Sequence, residues 1–153
     1  MSLAYLDLGS NIEPRASLRR ALELLQADFQ VKRCSAVFET APVGITDQPA
    51  FWNMAVEIET ELLPDELQLK LRAIEDQMGR DRSGPKYGPR NIDIDLILHH
   101  EYAHPQLESQ AFVLVPMCGL CPEHLHPRLG QPLAELLARL DYRRADIREL
   151  GPL

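Results

Sequence analysis

Two strand-like runs, residues 31–40 and 52–60, follow one another with no helical segment between them, and that succession removes most of the folds open to this chain of 153 residues. In the first run Cys34, Ala36 and Phe38 alternate against charged neighbours, and in the second Met54, Val56 and Ile58 do the same. A period of two marks a strand with one buried face. A doubly wound parallel sheet needs a crossover helix between successive strands, so this pair points instead to an antiparallel sheet.

The flanking segments complete the order. Residues 3–8, LAYLDL, end at Gly9-Ser10-Asn11, a strand closed by turn-forming residues. Pro14 suits a first helical turn, and Leu18, Ala21, Leu22 and Leu25 recur at i, i+3, i+4 and i+7 ahead of an expected end near Asp28. Pro64, Asp65 and Glu66 open a second helix, whose Leu67, Leu71, Ile74 and Met78 form an apolar face before Gly79 ends it. Residues 92–98, IDIDLIL, read as another strand. The resulting order, βαββαβ, is the α+β ferredoxin-like pattern: an antiparallel sheet with both crossover helices on one face. Beyond it, residues 112–120 are apolar and ambiguous, and residues 132–140 read as a closing amphipathic helix. These C-terminal elements are expected to cover the second face.

With 45% hydrophobic residues the chain can bury roughly two-thirds of its unfolded surface, so a single domain spanning 1–153 is expected. A net charge of −7 argues against broad nucleic-acid or anionic-membrane binding, and no apolar stretch approaches the ~20 residues of a membrane span. Cys34, Cys118 and Cys121 form no even-numbered disulfide framework, and the N-terminus lacks a basic segment followed by an apolar core. A cytoplasmic monomer is the expectation.

Against this acidic background residues 80–95, RDRSGPKYGPRNIDID, place Arg80, Arg82, Lys86 and Arg90 in a Gly/Pro-rich loop directly before Asp93 and Asp95. On a strand, residues i and i+2 project from one face about 7 Å apart. Two hard oxygen donors suit Mg²⁺, which binds few protein ligands beside waters and substrate phosphates, while the cations neutralise phosphate oxygens. The competing reading is a solvated loop entering an edge strand. Residues 41–50 form a loop longer than a tight hairpin needs and still carry apolar residues, which suits a binding role.

Leu8-Gly9-Ser10-Asn11, then Glu39-Thr40-Ala41-Pro42 with Gln48-Pro49-Ala50-Phe51-Trp52-Asn53, then Gly79-Arg80 with Tyr87-Gly88-Pro89-Arg90-Asn91-Ile92-Asp93-Ile94-Asp95 together resemble the 6-hydroxymethyl-7,8-dihydropterin pyrophosphokinase family of folate biosynthesis. The likeness covers most of the chain. It implies a ferredoxin-like core and transfer of a whole pyrophosphoryl group from ATP to the pterin hydroxymethyl oxygen, leaving AMP. It also implies two Mg²⁺ ions on Asp93 and Asp95, with Arg80 and Arg90 gripping phosphates beside them as catalytic residues. Thr40, Pro42, Val43, Phe51, Asn53 and Phe112 would form the pterin slot, and Glu75, Arg80, Arg82, Lys86, Tyr87, Arg90, Ile97 and His104 would contact ATP. The loops 41–50 and 81–89, the latter with Gly84 and Gly88 as hinges, would close on the nucleotide.

Two departures from the family pattern stand out. Only eight residues separate Asp95 from His104, so the strand-forming stretch that relatives carry there is expected to be missing, and Gln110 stands where relatives commonly have a phosphate-binding arginine. They motivate a second reading, a catalytically reduced paralogue that binds pterin or nucleotide. Other motifs compete less well. His100-Glu101-Tyr102-Ala103-His104 spells a zinc-peptidase H-E-x-x-H, but it follows directly on a strand and abuts Pro105. Cys118 and Cys121 mimic a redox dithiol or, with His124 and His126, a zinc clip, yet the context and spacing fit neither, and buried free thiols are expected. His99 and His100 read as a solvated strand end.

Overall fold

The computed structural model describes residues 1–80, 83–84 and 88–153. Its core runs β1 (Ser2–Ser10), α1 (Pro14–Asp28), β2 (Gln30–Cys34), β3 (Val37–Thr40), β4 (Phe51–Thr60), α2 (Pro64–Gln77) and β5 (Asp93–His99). Strands β5, β1 and β4 lie side by side, β2 and β3 share the outer edge of β4, and every pairing is antiparallel. This is the ferredoxin-like arrangement expected from the sequence order.

The expected strand 31–40 is two strands. Ser35 breaks it: its amide donates to the Ala55 carbonyl and its hydroxyl accepts from the Ala55 amide, both at 2.8 Å, while the hydroxyl donates to the Ala36 carbonyl. The side chain takes the place of a ladder partner and the alternation slips by one residue. Val37 and Phe38 are consequently both buried and Cys34 is exposed, against the expected Cys34, Ala36, Phe38 face.

On one side of the sheet Leu6 and Leu8 of β1, Met54, Val56 and Ile58 of β4, and Ile94 and Leu96 of β5 pack against Leu18, Ala21 and Leu25 of α1 and Leu67, Leu71 and Ile74 of α2. Gly79, at φ 76°, adopts the left-handed conformation that ends the chain's run after α2. The other face lies under α3 (Ala111–Leu120) and α4 (Leu133–Arg139), whose Val113, Leu114, Met117 and Leu133 meet Tyr5, Ala55, Ile97 and Leu98. The ambiguous run 112–120 is therefore helical.

Two short strands extend the sheet at its edges, β6 (Tyr102–Ala103) beside β5 and β7 (Ile147–Gly151) beside β3. Strand β6 corrects the expectation that the shortened connection lacks a strand: a turn at His100, φ 53°, brings Tyr102 and Ala103 back against β5 within three residues. It also places the H-E-x-x-H residues on a turn and a strand, where the two histidines cannot share a helix face. His99 is not solvated as expected. It is 2% exposed, with Nδ1 3.1 Å from the Leu3 carbonyl and Nε2 2.7 Å from the Leu62 carbonyl. Cys121 is buried and Cys118 partly so, and burial pushes their thiols up to about 12 and about 11. Among the described residues no helix is long and apolar enough to cross a membrane.

Candidate active site

The α3 side of the sheet is left open around Gly9 of β1, Asn53 of β4 and Asp93 of β5, and a cleft forms there. Side chains fall in rows across the three strands: Asn53, Gly9 and Asp93 make one row, and Ala55, Asp7 and Asp95 the next. A Cβ at Gly9 would lie 2.7 Å from Asn53 Oδ1, so any larger residue there must displace that side chain. Asn53 in turn donates to Thr40 Oγ1 at 2.7 Å, which fixes its amide at the wall of the cleft.

Phe51 and Phe112 line this cleft together with Thr40, Val43, Asn53, Arg90, Asp93 and Asp95. Most of the residues expected at a pterin slot and a metal-phosphate site thus share one cavity. Pro42 lies in the adjoining groove, with Gln110. The two arginines converge on Asp93: Arg90 Nη1 is 2.7 Å from Oδ2 and Arg80 Nη2 is 3.4 Å from Oδ1. Asp95 is more enclosed. Burial, then Asp93 and Glu75, push its carboxyl up to about 7, opposed by Arg72 and Arg90.

Asn11 ties the site's three loops together. Its amide donates to Gln48 Oε1 and the Pro49 carbonyl, its Oδ1 accepts from the Arg90 amide at 2.8 Å, and its own amide donates to the Arg90 carbonyl. Asn91 anchors the same segment from the other side by donating to the Met78 carbonyl. The Gly9-Ser10-Asn11 turn, the 41–50 loop and the segment before Asp93 are consequently held as one unit.

A second pocket opens on the α2 side of β5, lined by Gln68, Arg72, Leu96, Tyr102, His104 and Asp95. Asp95 borders both cavities. Burial holds the His104 imidazole below its ordinary value, with Glu108 opposing, and its Nδ1 accepts from the Gln106 amide. Two expected ATP contacts need correction. Glu75 is wholly buried behind β5, accepting from the Ile94 amide and pairing with Arg72, because its position on α2 faces the sheet and not the cleft. Ile97 is wholly buried in the core beneath α3, since it follows Asp93 and Asp95 on the same face of β5, and Leu96, on the opposite face, lines the pocket instead. Arg82, Lys86 and Tyr87 lie outside the described residues.

Asp7, Gln68, Arg72, Tyr102 and Leu96 also line these cavities and were not picked out by the sequence reasoning. The spacing of Gln68 and Arg72, one helical turn apart on α2, carries a signal only once α2 is known to lie along β5.

The carboxylate pair suits a magnesium site. Asp93 and Asp95 offer hard oxygens into one cleft, beside cationic side chains for phosphate. Among the described residues no group of three or more His, Cys, Asp or Glu is placed to hold a metal alone, and Mg²⁺ usually binds few protein ligands beside waters and substrate phosphates.

Comparison with known proteins fits this geometry. Residues 5–122 match the family model for 7,8-dihydro-6-hydroxymethylpterin-pyrophosphokinase. A 2-amino-4-hydroxy-6-hydroxymethyldihydropteridine pyrophosphokinase of Aquifex aeolicus is 35% identical over 145 residues, covering 88% of this chain and 90% of that one. Its namesake from Bacillus subtilis is 40% identical over 134 residues, covering 80% of each. Among solved structures, a Plasmodium falciparum HPPK-DHPS triple mutant with pteroate superposes with a TM-score of 0.73 at 14% identity, over 90% of this chain and 43% of that one. The chain thus spans less than half of that larger protein, and at such identity the likeness concerns the fold. With the family model matching most of the chain and relatives at 35–40% identity, the chain belongs to the 7,8-dihydro-6-hydroxymethylpterin pyrophosphokinase family.

Proposed function

We propose that the cleft between Asn53 and the Asp93–Asp95 pair seats 6-hydroxymethyl-7,8-dihydropterin, and that ATP reaches the same pair from the side of Arg80, Arg90 and the His104 pocket. The chain is an ATP-dependent diphosphotransferase of folate biosynthesis, as its family membership states. The observation that carries the site assignment is that Asp93 and Asp95 line the same cavity as Phe51, Phe112, Asn53 and Thr40. A flat heterocycle between the two rings would have its polar edge at Asn53 and Thr40 and its hydroxymethyl group toward the carboxylates.

In the reaction the hydroxymethyl oxygen bonds to the β-phosphorus, the bond from that phosphorus to the oxygen of the α-phosphate breaks, and AMP departs. Such transfers ask mainly for positioning and charge neutralisation. Asp93 and Asp95 would hold two Mg²⁺ ions, which when bound neutralise phosphate oxygens and lower the pKa of the attacking hydroxyl. Arg80 and Arg90 now lie on Asp93 and are placed to turn onto phosphate oxygens with charge-assisted bonds. The Asn11 clip keeps Arg90 aligned with the pterin wall.

The second reading, a catalytically reduced binding module, is distinguished by assay. The purified chain should form AMP from ATP only when both the pterin alcohol and Mg²⁺ are present. Pterin binding without AMP above background would assign it to the second reading.

A further inference from the structure

Asp7 is the central residue of the second row across the sheet, between Ala55 and Asp95, and directly behind the gap that Gly9 leaves between Asn53 and Asp93. It is 4% exposed and borders the cleft. Its Oδ1 is sealed from solvent and has no hydrogen-bond partner among the described residues. Burying a carboxyl oxygen without a partner is costly, and native structures rarely leave one so placed without a functional role or a bound group that completes it.

The occupant must suit the surroundings. A metal held by all three carboxylates is disfavoured, because no group of three such residues among the described ones is placed to hold an ion. A hydroxyl fits better: it both donates and accepts, so it pairs with a carboxyl group in either protonation state. An acceptor lying over Gly9, with its amide-like edge at Asn53, brings an exocyclic alcohol close to both Asp7 and the Asp93–Asp95 pair.

We propose that Asp7 is a substrate-binding residue that hydrogen-bonds the hydroxymethyl group of the acceptor and thereby aims its oxygen at the phosphoryl donor. The proposal rests on the pterin reading of the cleft. It adds a selectivity for the alcohol that comes from the floor of the site and operates without metal or nucleotide.

The test is equilibrium binding of 6-hydroxymethylpterin and 6-methylpterin to the full chain, without ATP or Mg²⁺. The unsubstituted protein should favour the alcohol about tenfold, the worth of one hydrogen bond to a charged or strongly polar group. Asp7→Ala should bind the two pterins about equally, and so should Asp7→Leu, which fills the volume and replaces a buried group whose Oδ1 has no partner among the described residues. The Leu variant decides the matter if the Ala variant does not fold. A preference that survives in a folded variant overturns the role of Asp7 while leaving the pterin site standing. Failure of the unsubstituted chain to bind either pterin overturns both.

Discussion

Glu75 accepts a 2.7 Å hydrogen bond through Oε2 from the backbone amide of Ile94, the residue between Asp93 and Asp95. At that point β5 pairs with β1 on one side only, since β6 reaches no further than Leu98. The Ile94 amide would otherwise be an unpaired edge donor, the kind of group folded proteins almost always satisfy. A carboxylate from α2, anchored by Arg72 at 3.2 Å, supplies the missing acceptor. The acidic pair is thus held from behind by a third acid that never meets the cleft.

Replacing Glu75 by Ala removes that acceptor and opens a small cavity at a site with no exposure. The expected cost is about 2–4 kcal/mol in urea unfolding. Turnover should fall with it while pterin affinity is nearly kept, because the pair loses its support and the slot does not. Equal stability of the two proteins would show that the edge amide finds another partner.

Gly9 and Asn53 make a second tight relationship. A methyl group on residue 9 would meet Asn53 Oδ1 at 2.7 Å, so Gly9→Ala must push the amide away from Thr40. Pterin binding should weaken roughly tenfold, the worth of one displaced hydrogen bond. Fluorescence titration with 6-hydroxymethylpterin reads the change, and an unaltered dissociation constant would separate Asn53 from pterin recognition.

The parts of this molecule that sequence made legible are those with a strong local signal. The helical stripe of Leu18, Ala21 and Leu25 and the turn at Gly79 state their structure in a few residues, and the i, i+2 carboxylates state their shared face. What stayed hidden depends on long-range pairing. Ser35 breaks a strand only because Ala55 is opposite it. Leu98 joins Ile97 beneath α3 because β5 shifts register against β1 between Leu96 and Leu98, which no local pattern records. Asp7 sits in a strand whose alternation is weak, and its meaning comes from the row it shares with Asp95.

At the far end of the same sheet face, Arg33 grips Glu57 through two bonds of 3.0 and 2.8 Å, and Tyr5 donates to the same carboxylate at 2.7 Å. Hydrogen bonding from Arg33 holds the Glu57 carboxyl below its ordinary value, outweighing the effect of burial, with Tyr5 adding to it. A carboxylate with a depressed folded pKa contributes stability that is fully present above its unfolded pKa of about 4.3 and is lost as pH falls through the folded value. Glu57→Gln should therefore cost about 2 kcal/mol at pH 7 and progressively less below about pH 4, where the two proteins converge. Parallel melting-temperature profiles down to pH 3 would remove Glu57 from the acid limb of unfolding.

Asp95 borders both the cleft that holds Phe51 and Asn53 and the pocket that holds His104, so its carboxylate stands where the proposed acceptor and donor meet. A group in that position acts mainly as charge is redistributed between the two substrates, and its removal should be felt in the transition state more than in either ground state. Asp95→Ala is accordingly expected to lower AMP formation at saturating substrates more than a hundredfold, about 3 kcal/mol, while the KM for the pterin changes only a few-fold. Asp95→Asn, which keeps shape and loses charge, should fall nearly as far. Undiminished turnover in either variant would take Asp95 out of the chemistry and leave Asp93, with Arg80 and Arg90 already on it, as the sole carboxylate anchor for the metal and phosphates.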